Sequence, residues 1–179
     1  MDHEVLGWPE DSPVLELDHE LFSYAGKFVM TNTGKAVAKD SGEIVGAVAF
    51  NEDRTSSDVI WIRYITVRKD RRGEGIGPEL AVSVTQEALE VGYEKVRIAV
   101  NNPFAYHALY KSGFGYTGET TGIAELVLEY PREGTKERYQ EGLKAFKDRK
   151  DLSDEELEFL DEKRGKEDPS TTSNRLERF

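Results

Sequence analysis

The sequence predicts a mixed α/β fold, in which a central sheet carries helices on its faces and a charged helical extension follows. Three observations predict it. Two β-rich runs, residues 35–39 and 43–50, meet at Asp40-Ser41-Gly42, which is a hairpin signal. The run Val59-Ile60-Trp61-Ile62-Arg63-Tyr64-Ile65-Thr66-Val67 is β-branched and aromatic, and it leads through a basic, glycine-rich turn into a helix. Beyond Pro131 the chain turns highly charged and keeps apolar residues at helical spacing.

The elements follow in chain order. Residues 1–12 read as a loose leader. Val14-Leu15-Glu16-Leu17 predicts a first strand, and a helix is expected to begin between Asp18 and Leu21. The hairpin and the strand of residues 58–67 come next. Pro78 suits a first helical turn, Leu80, Ala81, Val84, Ala88 and Val91 recur on one helical face, and Gly92 supplies the stop. Residues 95–100, 113–117 and 123–130 read as further strands. In the extension, Tyr139, Leu143 and Phe146 share one face of a helix, and Ser153-Asp154-Glu155-Glu156 offers a capping box for a second. The expected organisation is a domain over residues 1–130, a charged helical extension over 131–164 and a disordered tail over 165–179.

Composition narrows the function classes. The chain contains no cysteine, which excludes disulfides, thiolate nucleophiles and Cys-based metal sites. His3, His19 and His107 show no ligand spacing, so no metal is expected. A formal net charge of −11 opposes nucleic acid as a partner. The apolar runs are too short for a membrane span and the N-terminus lacks a signal peptide's features, so a cytoplasmic location is expected.

Against that acidic background the turn Arg68-Lys69-Asp70-Arg71-Arg72-Gly73-Glu74-Gly75-Ile76-Gly77 stands out. Strand, turn and helix in that order build an anion site. Glycines at every second position remove side chains, so backbone N–H groups can close on a ligand while the helix points its positive end the same way. Arg71 and Arg72 add charge, and a phosphate or pyrophosphate fits best. A P-loop would require Gly-Lys-Ser/Thr, which does not follow. A dinucleotide fingerprint would place the glycines in the first βα turn, whereas this turn comes after several strands. An ordinary βα turn without a ligand is the other reading of these residues.

The turn resembles motif A of the GCN5-related N-acetyltransferases, whose pattern Arg/Gln-x-x-Gly-x-Gly/Ala is met by Arg72, Gly75 and Gly77. Beyond a helix and a strand, the segment Asn102-Pro103-Phe104-Ala105-Tyr106-His107-Ala108-Leu109-Tyr110-Lys111-Ser112-Gly113-Phe114 resembles that family's motif B. The pattern there is an Asn, an Ala three residues later and a Leu-Tyr-x-x-Gly-Phe ending. The interval from Asn to Tyr is one residue longer than the family's usual one, which leaves Asn101 or Asn102 at the family's position. Together the two motifs cover roughly residues 58 to 117.

The resemblance implies a mostly antiparallel central sheet and acetyl-CoA as co-substrate, with no metal. It implies that Ile65, Thr66 and Val67 present their backbone to the pantetheine arm. The N–H groups of Arg72, Gly73, Gly75, Ile76 and Gly77 would hold the pyrophosphate, and Arg71 or Arg72 would reach its oxygens. Asn102, with Ala105, would help hold the pantetheine, and Tyr110 would protonate the departing CoA thiolate as general acid. Taken without the resemblance, Tyr110 reads as a core tyrosine, Asn102 as a helix N-cap, and His107 as a packing residue or a relay toward Tyr110. No general base is assigned. Residues 96–100 offer no carboxylate, and Asp58, Glu119 and Glu125 are individually weak candidates acting through water.

The function implied is N-acetyl transfer from acetyl-CoA to a primary amine, on a small molecule or a peptide, by direct attack in a ternary complex. Two alternatives remain: a non-catalytic acyl-CoA-binding regulatory module, and an interaction protein acting through its C-terminal extension. The apolar stripe of that extension has two readings: it packs on the domain or dangles, or it covers the acceptor groove or a partner subunit, the last of which would make a homodimer.

Overall fold

The computed structural model describes residues 1–169. The chain divides into two compact units, residues 1–96 and residues 97 onward. Seven strands and four α-helices among the described residues give the mixed, mostly antiparallel α/β fold that the sequence implies.

In the first unit β1 (Asp2–Gly7), β2 (Gly34–Asp40), β3 (Glu43–Glu52) and β4 (Val59–Val67) pair in that order, each antiparallel to the next. Ser41 and Gly42, both at positive φ, close the tight turn between Asp40 and Glu43 that the hairpin signal predicts. The loose leader expected at residues 1–12 is instead largely strand β1, in register Asp2↔Lys39, His3↔Ala38 and Glu4↔Val37. Its pairing groups are backbone atoms and its side chains are largely exposed, so no apolar pattern announces it.

The strand expected at residues 14–17 and the helix expected from Asp18 do not form. Leu15 is fixed by its N–H, which donates to Phe28 O at 2.9 Å. Asp18 O accepts from the N–H groups of Leu21 and Phe22, and Asp18 Oδ1 accepts from Glu20 N–H at 2.8 Å. This local Asx turn satisfies the backbone in place of a helix. Only a 3-10 turn over Ala25–Lys27 follows. The segment still covers the sheet: Leu15 and Phe28 bury against Val37, Ala47 and Ala49, with Leu17, Ile44 and Tyr64 at the rim.

Lys35 fastens this cover. Its side chain is fully buried, and Nζ donates to the carbonyls of Pro13, Met30 and Thr33 at 2.8, 2.7 and 3.0 Å. All three ammonium donors are thereby matched without a carboxylate, and burial pushes the amine below the usual lysine range. The other face of the sheet holds α1 (Ile76–Glu90), whose Ile76, Leu80, Ala81, Val84 and Ala88 are buried. Gly46 lets this helix approach, since a Cβ there would lie 2.9 Å from Leu80 Cδ1.

β5 (Lys95–Val100) runs across the boundary into the second unit. There α2 (Pro103–Lys111), the antiparallel pair β6 (Gly115–Thr120) and β7 (Leu126–Tyr130), α3 (Lys136–Lys147) and α4 (Asp154–Lys163) share a core rich in tyrosine. The stripe of Tyr139, Leu143 and Phe146 is spent inside this unit. Tyr139 stacks on Tyr106 with ring centres 5.8 Å apart, and Phe146 meets the same ring edge-on at 5.5 Å. Of the two readings of this stripe, the packing against its own unit is the one observed, with Tyr106 of α2 seated on it. The capping box expected at Ser153 and Glu156 is present. Gln140 bonds the carbonyls of Lys163 and Lys166 and the N–H of Gly165, so residues 163–166 are held against α3. Arg132 does the same for Asp168, at 3.0 Å. Residues 170–179, the rest of the tail expected to be disordered, lie outside the described residues.

Gly142 in the middle of α3 gives a clear stability prediction. Replacing a helix-interior glycine by alanine ordinarily stabilises by about 1 kcal/mol. Here the new Cβ would sit 2.0 Å from Tyr106 Oη, whose O–H donates to Tyr139 O at 3.0 Å. Gly142→Ala is expected to cost about 1–3 kcal/mol through overpacking and loss of that bond. A thermal melt lowered by several degrees is the expected result; an unchanged or raised melting temperature would mean that the contact yields freely.

Candidate cofactor and active site

The turn between β4 and α1 takes its shape from its glycines and its ion pairs. Gly73 and Gly75 sit at φ +84° and +83°, a left-handed conformation in which a side chain is strained. Open space surrounds the position a Cβ would take at either residue. Gly75 caps α1 without a side-chain bond, and its carbonyl accepts from Glu79 N–H at 3.2 Å. The N–H groups of Arg72, Gly73, Glu74, Gly75, Ile76 and Gly77 have no acceptor among the described residues. A row of unpaired amides at the positive end of a helix, facing space that a Cβ would fill, fits a phosphate group.

The four cations of the turn divide into two kinds. Arg68 is pinned to Asp70 at 2.7 Å and to Glu43 at 3.3 Å, and these carboxylates raise its pKa further. Arg71 is pinned to Glu74 at 2.6 Å and to Asp40 at 3.0 Å, again with a raised pKa. Both brace the turn. Arg72 instead donates to Ser23 Oγ at 2.8 Å and has no carboxylate partner among the described residues, and Lys69 is likewise without one. Of the two arginines left open by the sequence, Arg72 is the one whose charge is not already matched.

The end of β4 lies beside this turn. Thr66 is buried with Oγ1 unpartnered among the described residues, while Ile65 and Val67 are half-buried. Gly77 faces them, since a Cβ on it would come within 3.7 Å of Ile65 Cγ2 and 3.8 Å of Val67 Cγ2.

In the second unit Asn102 is the N-cap of α2, its Oδ1 accepting from Ala105 N–H at 2.8 Å. Its Nδ2 lies 3.5 Å from Asn101 Oδ1. Tyr110 is 1 % exposed, inside a cluster formed by Tyr106 and Tyr139, each with its ring centre 4.8 Å away. The Arg132 guanidinium lies over its ring at 4.7 Å. Tyr110 Oη accepts from Tyr116 N–H at 2.8 Å. Burial pushes its pKa up, so the hydroxyl stays protonated at neutral pH.

His107 pairs with Tyr139, Nδ1 to Oη at 3.2 Å, and packs edge-on against Phe159. Burial first, then Lys163 and Lys111, push its pKa down to about 4. A group depressed from 6.5 to about 4 leaves the unfolded chain holding the extra proton between those values, so stability falls as pH drops from 6.5 to 4 and is fully retained above. The full gap corresponds to roughly 3 kcal/mol, and solvent screening reduces it to about 1–2 kcal/mol. His107→Gln should flatten the melting-temperature difference between pH 7 and pH 4.5; an identical acid slope in both proteins would remove this residue as the cause.

Sequence reasoning missed Ser23 and the polar cleft around Arg63 described below. Arg63 was the available signal, a charge interrupting an otherwise apolar strand. Among the described residues there is no cluster of three or more potential metal ligands, and no helix is long and apolar enough to cross a membrane.

A βα junction whose amides and one of whose arginines lack partners among the described residues defines the first unit as an α/β fold with a backbone site of the shape and charge that suit a phosphate group. The model of the acetyltransferase (GNAT) family matches residues 3–116, and the chain belongs to that family, whose members are acetyl-CoA-binding acyltransferases. No curated protein matches the sequence. Among solved structures, an acetyltransferase from Bacillus subtilis in complex with CoA is 17 % identical, over 71 % of this chain and 95 % of that one, with a TM-score of 0.52. The IAA acetyltransferase from Bacillus cereus is 22 % identical over 72 % and 97 % of the two chains, at a TM-score of 0.49. An N-acetyltransferase from Staphylococcus aureus is 21 % identical at 0.48, over 54 % of this chain and 66 % of that one, so the match spans just under two thirds of that relative's length. At these identities the likeness is one of fold.

Proposed function

We propose that this protein is an acetyl-CoA-dependent N-acetyltransferase of the cytoplasm, acting on a primary amine by direct attack in a ternary complex. The observation that carries the reading is the run of amides from Arg72 to Gly77 that find no acceptor among the described residues, beside an Arg72 with no carboxylate partner there. These groups would hold the pyrophosphate, while the backbone of Ile65, Thr66 and Val67, with Asn102 and Ala105, would hold the pantetheine arm. Bound acetyl-CoA supplies the thioester: a C–N bond forms to the amine as the C–S bond breaks, the thiolate takes up a proton and the ammonium gives one up.

Tyr110 is the proposed source of the thiolate's proton. Its hydroxyl stays protonated, accepts from Tyr116 N–H and is hydrogen-bonded to the Tyr106 hydroxyl, so a proton it gives up can be replaced from within the tyrosine cluster. Phosphate binding remote from the reacting carbonyl supplies binding energy that can be used for positioning. The test is calorimetric titration with acetyl-CoA followed by thiol release against a panel of amines. Binding with release for one amine class is the expected result. Binding without release would favour the regulatory module, and no binding would overturn the reading.

A further inference from the structure

A second feature of the first unit is a cleft of about 310 Å³ whose lining includes Lys27, Thr33, Asn51, Arg54, Arg63 and Tyr64. Arg63 and Tyr64 belong to β4 and directly precede Ile65–Thr66–Val67, so at about 3.3 Å per residue the cleft opens next to the strand end proposed for the cofactor arm. Three cations line it in a chain of net charge −11. Arg63 Nε donates to Asn51 Oδ1 at 2.7 Å, and its two terminal nitrogens have no carboxylate among the described residues. Lys27 Nζ lies over the Tyr64 ring at 5.5 Å, and Arg54 makes no hydrogen bond or ion pair among the described residues. The nearby carboxylate of Asp53 is engaged by Trp61 Nε1 at 2.6 Å and by Thr55.

The lining of the cleft also holds an unsatisfied buried hydroxyl. Thr33 is 4 % exposed, and its Oγ1 has no hydrogen-bond partner among the described residues. A buried hydroxyl without a partner is a cost that a bound polar group would remove. Met30 and Thr33, both lining the cleft, are held by their carbonyls on buried Lys35 Nζ, so this wall is rigid. Burial and the Arg54 charge depress the Arg63 pKa against the opposing pull of Asp53 and Tyr64, and an anion in the cleft would act in the same sense as Asp53.

We propose that this cleft is the acceptor site and that the acceptor is an amine carrying a compact oxyanion, with the Arg63 and Arg54 guanidinium groups and Lys27 gripping the anion while Thr33 Oγ1 takes a hydrogen bond. The proposal rests on the acetyltransferase reading. Planar guanidinium forks match carboxylate and phosphate oxygens alike, so the class is defined by the anion and the test separates its sources. The overall acidity of the chain would attract cationic amines from a distance, but discrimination at contact follows the local charge.

The test is thiol release from acetyl-CoA with amino acids, each paired with its own carboxamide, together with O-phosphoethanolamine against ethanolamine and spermidine as a cationic arm. Acetyl-CoA affinity is measured separately by calorimetry. The expected result is a preference of at least tenfold in kcat/KM for the anionic member of one pair, the pair identifying carboxylate or phosphate. That preference should collapse to below twofold in Arg63→Gln and in Arg54→Gln, with acetyl-CoA affinity unchanged. Equal or better use of the carboxamides, ethanolamine or spermidine, a preference that survives both variants, or release with none of the amines despite acetyl-CoA binding, each overturns the proposal. Loss of acetyl-CoA binding in the unaltered protein would instead overturn the enzyme reading beneath it.

Discussion

Gly75→Val is expected to lower acetyl-CoA affinity by at least 100-fold while leaving the fold intact. Gly75 is held at φ +83°, where a β-branched residue is strained by about 1–2 kcal/mol, and it is the N-cap of α1. Relief of that strain requires the turn to move, and the turn's value lies in the shared direction of its amides from Arg72 to Gly77. The valine side chain would also enter the open space above the residue, where the phosphates are proposed to sit. A hundredfold loss corresponds to about 2.8 kcal/mol, which strain and misaligned amides together can supply. Nothing lies within 4 Å of the new Cβ, so the core is untouched and the melting temperature should move by only a few degrees. Calorimetric titration checks the prediction. Unchanged affinity would show that this turn is an ordinary βα connection and would remove the observation that carries the proposed function.

Tyr110→Phe is expected to lower turnover about 100-fold with little change in acetyl-CoA affinity, the scale at which a positioned proton donor contributes. The same change has a structural effect that must be kept apart. Tyr116 N–H would lose its acceptor in a buried setting, at a cost of about 1–3 kcal/mol. Turnover must therefore be measured well below the melting temperature of the variant. A lower melting temperature with turnover preserved would leave Tyr110 as a packing residue of the tyrosine cluster and return the proton donor to water or another group. A fall in turnover at unchanged KM for acetyl-CoA marks an interaction made only in the transition state.

Motif A could be read almost completely from residues: a βα turn with glycines at fixed spacing has few backbone solutions, and Gly73 and Gly75 take the positive φ that only glycine adopts cheaply. Motif B was legible as a helix, since Asn102 and Pro103 start it by capping and ring geometry alone. The direction of Tyr110 was not. An interval longer by one residue turns a side chain by about 100° around a helix, and where that direction leads depends on what packs there. Here Tyr106, Tyr139 and Arg132 surround it, the last two contributed by residues well downstream.

Other differences have the same origin. β1 has no apolar alternation, so only the open edge of β2 makes it a strand. Residues 13–33 look like a strand and a helix by local pattern, yet the Asx turn at Asp18 and the grip of Lys35 Nζ on three carbonyls hold them as an irregular cover. The role of the Arg71 charge depended on Glu74 and Asp40, and an ion pair with a residue on a distant hairpin leaves no mark in local sequence.

The family, the mixed α/β class, the strand–turn–helix with its glycine-shaped turn and the helical nature of the extension were all legible in the residues. Each depends on local rules: periodicity, glycine φ and capping act within a few residues of one another. The tertiary structure alone decided which arginine remains unmatched, where the Tyr110 hydroxyl points, that the α3 stripe is consumed within its own unit, and that Lys27, Arg54 and Arg63 face one cleft. Charge pairing and side-chain burial depend on distance in space, and contacts between residues far apart in the chain set that distance.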